Sequence, residues 1–295
     1  NSRDNMTHAT FRDLGFVATP QGKFDVYSAG GLGNNPKMGV CVAKKISPED
    51  VLYYIKAMII IFTKYGNYES RAKARTRYMQ DTLGVEKYID EYNKILEKIK
   101  SEEDLKIDVS PKEISKRGVP KDIESDMVIK QKQEGLYAFR YHPIGGTPTI
   151  ENFINLYDTI KDFKDVEVRI SPEEELYIIN CTAEEIEKIS NTITDNAENI
   201  FETSVACIGN SICQVGLRDS QALVKKLSEE TRKHNFKSRI LPQIHISGCP
   251  SSCGTHQIGI IGFHGTAKVV DKVPQPAFFL HIKGNERRHE ERFGK

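Results

Sequence analysis

Nothing in this 295-residue sequence is apolar for long enough to cross a membrane. The longest run of large apolar residues, Met58 to Phe62, sits between Lys56 and Lys64, against the roughly 20 residues a spanning helix requires. No N-terminal signal pattern is present. Neither sign of charge dominates: 42 Lys and Arg face 41 Asp and Glu. That balance gives no global case for nucleic acid, so any anion preference must come from local clusters. Six cysteines are too few for a disulfide scaffold in a chain of this length. Without a secretion signal the expected compartment is the reducing cytoplasm, where grouped cysteines point to metal. There is no flavin or nicotinamide fingerprint, no short-period repeat, and no pair among the eight histidines at metal-ligand spacing. The chain opens at Asn1 rather than Met, which reads as a fragment or a processed form.

What is present supports a packed protein of about two domains, with 38% hydrophobic and 28% charged residues. Phe16 to Ser28 reads as a hairpin around Gln21-Gly22, and Val40 to Ala43 as a strand. Ser47-Pro48-Glu49-Asp50 reads as a helix start with Ser47 as cap, leading a helix through Phe62. Further helices are expected over 70–83 and 85–100. Residues 106–130, charged and carrying Pro111, Gly118 and Pro120, read as a linker. The next stretch alternates strand (136–141), a Gly145-Gly146 turn, helix (149–163), strands (166–170 and 176–180) and a helix opened by a capping box at Thr182-Ala183-Glu184-Glu185. Later come a helix after Cys213 and strands over 240–246, 256–263 and 277–282. The expected class is α+β with mixed sheets and flanking helices. It divides into 1–105, the 106–130 linker, a small unit at 131–193, and 194–295.

The feature with most chemistry is a double cysteine pair, Cys207-Ile-Gly-Asn-Ser-Ile-Cys213 and Cys249-Pro-Ser-Ser-Cys253. Thiolates are soft anionic ligands for iron–sulfur clusters, and the small residues around them allow backbone N–H groups to reach sulfur. Three readings stand on spacing alone: a cluster, a tetrahedral zinc, or buried structural thiols. The first pair's five intervening residues depart from the two to four usual for zinc. Cys41 and Cys181, on expected strands, read as small buried hydrophobes. His245 falls in an expected strand, and His256 reads as a hydrogen-bonded structural histidine.

The order Cys207-x5-Cys213, a long gap, then Gly248-Cys249-Pro250-x-x-Cys253-Gly254 resembles the siroheme- and iron–sulfur-containing nitrite and sulfite reductases. So do Asp13-Leu14-Gly15-Phe16, Ala29-Gly30-Gly31-Leu32-Gly33, Tyr65-Gly66-Asn67, and Arg71 with Lys73-Ala74-Arg75-Thr76-Arg77-Tyr78. Leu136 to Ile189 is similar to the family's second half-repeat, and Gly284-Asn285 to a loop beside the cofactor. The resemblance implies a small ferredoxin-like half-repeat between two larger α+β units. It implies that the 1–105 and 194–295 units hold siroheme, and that Cys207, Cys213, Cys249 and Cys253 hold a [4Fe–4S] cluster, with Cys253 also the axial ligand of the siroheme iron. The implied reaction is the six-electron reduction of nitrite to ammonia or sulfite to sulfide, fed by an external ferredoxin or flavoprotein.

Arg71, Lys73, Arg75, Arg77, Asn34 and Asn285 are the implied siroheme contacts. On a helix Arg71 and Arg75 share one face and Lys73 and Arg77 another. Asn35 and Lys37 lie in the same loop as Asn34, and Arg140 is a weaker candidate for an anion contact. No catalytic residue is assigned. The sequence departs from the family in having Ser251 where Asn is familiar and an acidic run at Ser171-Pro172-Glu173-Glu174-Glu175. The family's first half-repeat and its basic anion-binding segment have no counterpart before Asn1. The reading is therefore of a fragment, and the rival is a non-catalytic iron–sulfur electron-transfer module.

Overall fold

The computed structural model describes Asn5, residues 7–110 and 113–234, Phe236 and residues 240–295. It divides into two compact units, Asn1–Pro111 with Asn285–Arg292, and Lys112–Gly284 with Phe293–Lys295. Pro111 of the expected linker lies outside the described residues.

The first unit opens with strands β1 (Leu14–Ala18), β2 (Phe24–Ser28) and β3 (Val40–Ile46) in one antiparallel sheet of order β1-β2-β3. The β1–β2 pair is the expected hairpin. Helix α1 (Val51–Tyr65) follows a 3-10 turn at Pro48–Asp50. Ser47 makes no side-chain cap, so the helix starts on that tight turn rather than on the expected serine cap. Then come a short helix α2 (Met79–Leu83) and the long α3 (Val85–Glu102). Helix α3 buries Tyr88, Tyr92, Leu96 and Ile99, at three- and four-residue spacing, against α1 and the sheet. The two tyrosines keep their hydroxyls satisfied in this core. Tyr88 Oη lies 2.8 Å from Ser28 Oγ, and Tyr92 donates to the Tyr54 carbonyl at 2.6 Å. Burial pushes the Tyr88 phenol up to about 12.

The helix expected over 70–83 is largely absent. Asn67 Oδ1 accepts from the backbone N–H of Glu69 and Ser70, a side-chain turn that competes with helix. Two 3-10 turns follow, Arg71–Lys73 and Thr76–Tyr78, separated by extended backbone at Arg75. The shared helical faces expected of Arg71/Arg75 and Lys73/Arg77 therefore do not exist.

In the second unit β4 (Val128–Lys130), β5 (Tyr137–Tyr141), β6 (Glu167–Ile170) and β7 (Leu176–Cys181) form an antiparallel sheet of order β4-β5-β7-β6. Helices α4 (Ile150–Ile160) and α5 (Ala183–Thr192) supply Leu156, Ile186 and Ile189 to its core. This is the expected ferredoxin-like half, with the edge beside β5 filled by β4, which precedes it in the chain. Thr149 caps α4, and the expected capping box at Thr182 and Glu185 is complete. In the Gly145-Gly146 turn Gly145 has φ 74°, a left-handed conformation, and a side chain there would meet Gln221 Oε1 at 2.3 Å.

The remaining sheet is mixed, of order β11-β10-β9-β8, from β8 (Val205–Ala206), β9 (Ile244–Ser247), β10 (Ile261–Val270) and β11 (Val273–Ile282). Strands β8, β9 and β10 run parallel, and β11 returns antiparallel beside β10. Helix α6 (Ser220–Lys233) makes the crossover from β8 to β9 that parallel pairing demands. It packs Val224 on Ala206, Ile244 and Ile246.

Two expected strands are shorter here. The 240–246 strand begins only at Ile244. The 256–263 strand begins at Ile261, because residues 252–258 are occupied by two turns closed from Thr255 N–H to the Ser252 carbonyl and from Ile258 N–H to the Thr255 carbonyl. Among the described residues no helix is long and apolar enough to cross a membrane.

Candidate redox-metal site

Adjacent parallel strands present their carboxyl ends on the same edge of a sheet, where loops gather binding groups. Here Cys207 follows directly after β8 and Cys249 follows β9, with Val205 opposite His245 and Ala206 opposite Ile246. The two cysteine loops are consequently laid side by side. Gly248 N–H donates to Cys207 Sγ at 3.1 Å. The N–H groups of Leu217 and Arg218 both donate to the Gly248 carbonyl at 2.9 Å. Ser220 Oγ lies 3.3 Å from Cys207 Sγ and donates to the Cys207 carbonyl at 2.6 Å. Within the first loop Cys213 N–H donates to the Gly209 carbonyl at 2.9 Å. In the second, a side chain at Gly254 would stand 2.0 Å from the Ile246 carbonyl oxygen and 3.1 Å from Cys207 N, so the loops approach as closely as backbone allows.

The thiols differ in access. Cys249 is buried, Cys207 and Cys213 are half-buried, and Cys253 is exposed. Cys181 is fully buried in the half-repeat, and burial pushes its thiol up to about 12. Cys41 is half-buried and raised by the same cause. Both are poor thiolates.

All four donors are sulfur, which serves both iron–sulfur clusters and zinc. Among the described residues no three sulfurs lie within 4.8 Å of one another. Tetrahedral zinc at 2.3 Å from each sulfur would hold its thiolates about 3.8 Å apart. In the second cysteine loop Ser252 Oγ is buried without a hydrogen-bond partner, as is Arg218 Nε at the start of the segment leading to α6. A buried polar atom of this kind is met by water or by a bound group.

The other candidate residues lie in the first unit. Arg71, Lys73 and Arg75 are exposed, and Arg75 reaches Asp13 at 3.8 Å. Thr76 donates to Asp13 and Arg77 lies against Gly31, so the basic segment is seated on the Gly-rich loop that carries Asn34. Gln80 Nε2 fixes that loop through the carbonyls of Ala29 (2.7 Å) and Met38 (2.8 Å). Arg77 is buried, and its Nε has no partner. Asn34 is exposed, whereas Asn35 and Lys37 both pair with Asp81. Asn285 uses its amide within its own turn, donating to Glu290 Oε2 and accepting from Arg287 N–H, both at 3.0 Å.

Arg140 is engaged within the protein. It is half-buried in an ion pair with Glu175 and reaches Glu173 at 3.6 Å. Burial opposes the charge on Glu175, but the His142 hydrogen bond and the Arg140 charge hold its carboxyl below the usual range. Glu174 behaves oppositely. Burial pushes it up to about 7, even though Ala206 N–H donates to its Oε2 at 3.0 Å.

Three histidines come together, contrary to the absence of metal-like pairs in the sequence. One ring nitrogen each from His256, His264 and His281 lies within 4.8 Å of the others. Burial, reinforced by the neighbouring histidines, pushes His256 down to about 3, and burial also lowers His264. Sequence spacing of 8 and 17 residues gave no signal, because the contact is made across paired strands. His245 lies in β9, as expected, and is hydrogen-bonded to Thr255 Oγ1 at 2.7 Å; His256 is hydrogen-bonded to Ser247 Oγ at 2.9 Å, the setting expected of it.

The family model described as "Nitrite and sulphite reductase 4Fe-4S domain" matches residues 1–100. Ferredoxin–nitrite reductases of Spinacia oleracea and Betula pendula are 27% and 26% identical, each over 90% of this chain. The chain is similar to nitrite and sulfite reductases over most of its length. A Bacillus licheniformis sulfite reductase [NADPH] hemoprotein beta-component is also 26% identical over 87% of the chain. The chain spans about half the length of these reductases: 45%, 46% and 47%. The structure of the Mycobacterium tuberculosis NirA protein superposes with a TM-score of 0.79 at 22% identity, covering 99% of this chain and 54% of that one. The likeness in fold thus takes in the residues of both units. The stretch matched by the family model contains Cys41 and none of the four paired cysteines, so the cysteine loops stand on their own geometry.

Proposed function

We propose that this chain is the iron–sulfur- and siroheme-holding part of a nitrite or sulfite reductase. Cys207, Cys213, Cys249 and Cys253 are the cluster ligands, and Cys253, the exposed thiol, is shared with the siroheme iron. The carrying observation is the pair of cysteine loops on adjacent carboxyl ends of β8 and β9, joined by the Gly248 N–H to Cys207 Sγ hydrogen bond. When bound, cluster and siroheme supply single-electron transfer, six electrons taking nitrite to ammonia or sulfite to sulfide.

The chain's own groups prepare that site. The Gly248 N–H stabilises negative charge on Cys207, and Ser220 anchors the same loop. Arg71, Lys73 and Arg75 offer exposed cations for the macrocycle's carboxylates. Arg77 has a buried Nε open to an acceptor, and Asn34 and Asn285 complete the contact set. The names of the relatives support nitrite or sulfite as substrate and ferredoxin as donor. The rival, a non-catalytic iron–sulfur electron-transfer module, draws on one observation: Arg140, the anion-contact candidate of the half-repeat, is paired internally with Glu175.

Anaerobic reconstitution with iron, sulfide and siroheme separates the two. The reductase reading expects macrocycle absorption bands and consumption of nitrite or sulfite with reduced viologen. It also expects Cys253→Ser to abolish both while cluster absorption is only weakened. Cluster absorption without macrocycle bands leaves the electron-transfer module. A colourless protein holding zinc contradicts both.

A further inference from the structure

The three-histidine cluster lies entirely within the second unit, outside the cysteine loops. In the β10–β11 ladder His264 stands opposite Phe279, and His281 lies two residues further along β11. His264 and His281 are therefore diagonal neighbours on one sheet face. His256 reaches the same face from the turns before β10. Its ring centroid is 4.9 Å from that of His264 and 4.8 Å from that of His281. Phe279 stacks on His264 at 5.4 Å and an interplanar angle of 20°, fixing that ring.

Two of the three outer nitrogens are already engaged. His256 Nδ1 is held by Ser247 Oγ at 2.9 Å, and His281 Nδ1 faces the Gly294 carbonyl at 3.5 Å. This is the outer-shell arrangement that fixes the tautomer of metal-binding histidines. It leaves His256 Nε2, His264 Nδ1 and His281 Nε2 as the inner set, and the last two are 2.8 Å apart. Three nitrogens at 2.0–2.1 Å from a tetrahedral ion stand about 3.3 Å from one another. The pair need open only about half an ångström, and the third lies within the 4.8 Å that bounds the set.

We propose that His256, His264 and His281 bind one divalent first-row transition ion of the zinc type, with a fourth position open to water or a small anion. An all-imidazole set selects against magnesium and calcium, which take oxygen ligands. His264 and His281 are only half-buried, so an ion can enter from solvent. The proposal does not depend on the cysteines holding a cluster.

The test is zinc binding by equilibrium dialysis to the cluster-loaded protein, with X-ray absorption at the zinc edge. The expected result is one zinc per chain with nitrogen scatterers at about 2.0–2.1 Å and no sulfur shell at about 2.3 Å. His281→Gln is expected to weaken binding by at least about tenfold. Ser247→Ala, which keeps all three rings, is expected to weaken it by about tenfold. A sulfur shell, no stoichiometric zinc in the unmodified protein, or unchanged affinity in the His264→Gln/His281→Gln protein overturns the proposal. Because the absorption measurement uses the unmodified chain, a variant that fails to fold does not rescue it.

Discussion

Two polar regions of the second unit differ in what holds them together. Between β5 and β7 charges close on one another: Arg140 pairs with Glu175 and reaches Glu173, and His142 lies beside Glu175. Beyond β8 and β9 the cysteine loops are joined by backbone N–H groups, from Gly248 to Cys207 Sγ and from Leu217 and Arg218 to the Gly248 carbonyl. Buried polar atoms without a partner occur in both regions, His142 Nε2 and Glu175 Oε1 in the first, Ser252 Oγ and Arg218 Nε in the second. The charge pairing, not the unpartnered atoms, separates the two. Arg140 resembles an anion-binding arginine in sequence and is part of an internal ion pair in space.

The largest effect that tests this contrast is at Arg140. Replacing it with Ala leaves Glu175 buried without its cation. That should cost about 3–5 kcal/mol, read by urea unfolding, with anion affinity unaltered. A loss of nitrite or sulfite affinity at unchanged stability would break the comparison. At the cysteine loops Gly254→Ala drives a methyl group into the Ile246 carbonyl. The expected cost is about 3 kcal/mol together with loss of most bound iron, measured on the same preparation; retention of full iron content would mean the loops are looser than described.

Glu174 gives a pH signature. Its folded carboxyl is raised to about 7 from 4.5, so the unfolded chain releases that proton first. The group's stabilisation is complete below about pH 4.5, declines as pH rises towards 7, and is absent above that. Subtracting the Glu174→Gln stability profile from that of the unaltered protein should show this decline, and parallel profiles would refute it. The smallest expected effect is Thr182→Ala, which removes half of a capping box. About 1 kcal/mol is expected, read from thermal unfolding, with cluster content unchanged.

Much of this was legible in the sequence, for identifiable reasons. The helix over 85–100 and the Thr182 capping box are local patterns, and both formed as expected. The cysteine loops were legible because strand, small-residue loop and thiol occur together. What was missed depends on partners distant in sequence or on side chains acting against the backbone pattern. The basic segment over 71–77 has good helix formers, but Asn67 closes a turn before it and Asp13 holds Thr76. The long β10–β11 hairpin turns at Asp271 and Lys272, both at positive φ without a glycine to announce them. Arg140 finds Glu175 35 residues on, and the three histidines meet only once β10 and β11 are paired.

The central claim is that the loops after β8 and β9 hold one iron–sulfur cluster through four thiolates. The direct measurement is iron and acid-labile sulfide per chain after anaerobic reconstitution, comparing the unaltered protein with Cys207→Ser and Cys181→Ser. The account predicts about four of each per chain, lost in Cys207→Ser and kept in Cys181→Ser. Equal iron in all three proteins, or a single zinc in their place, would contradict it.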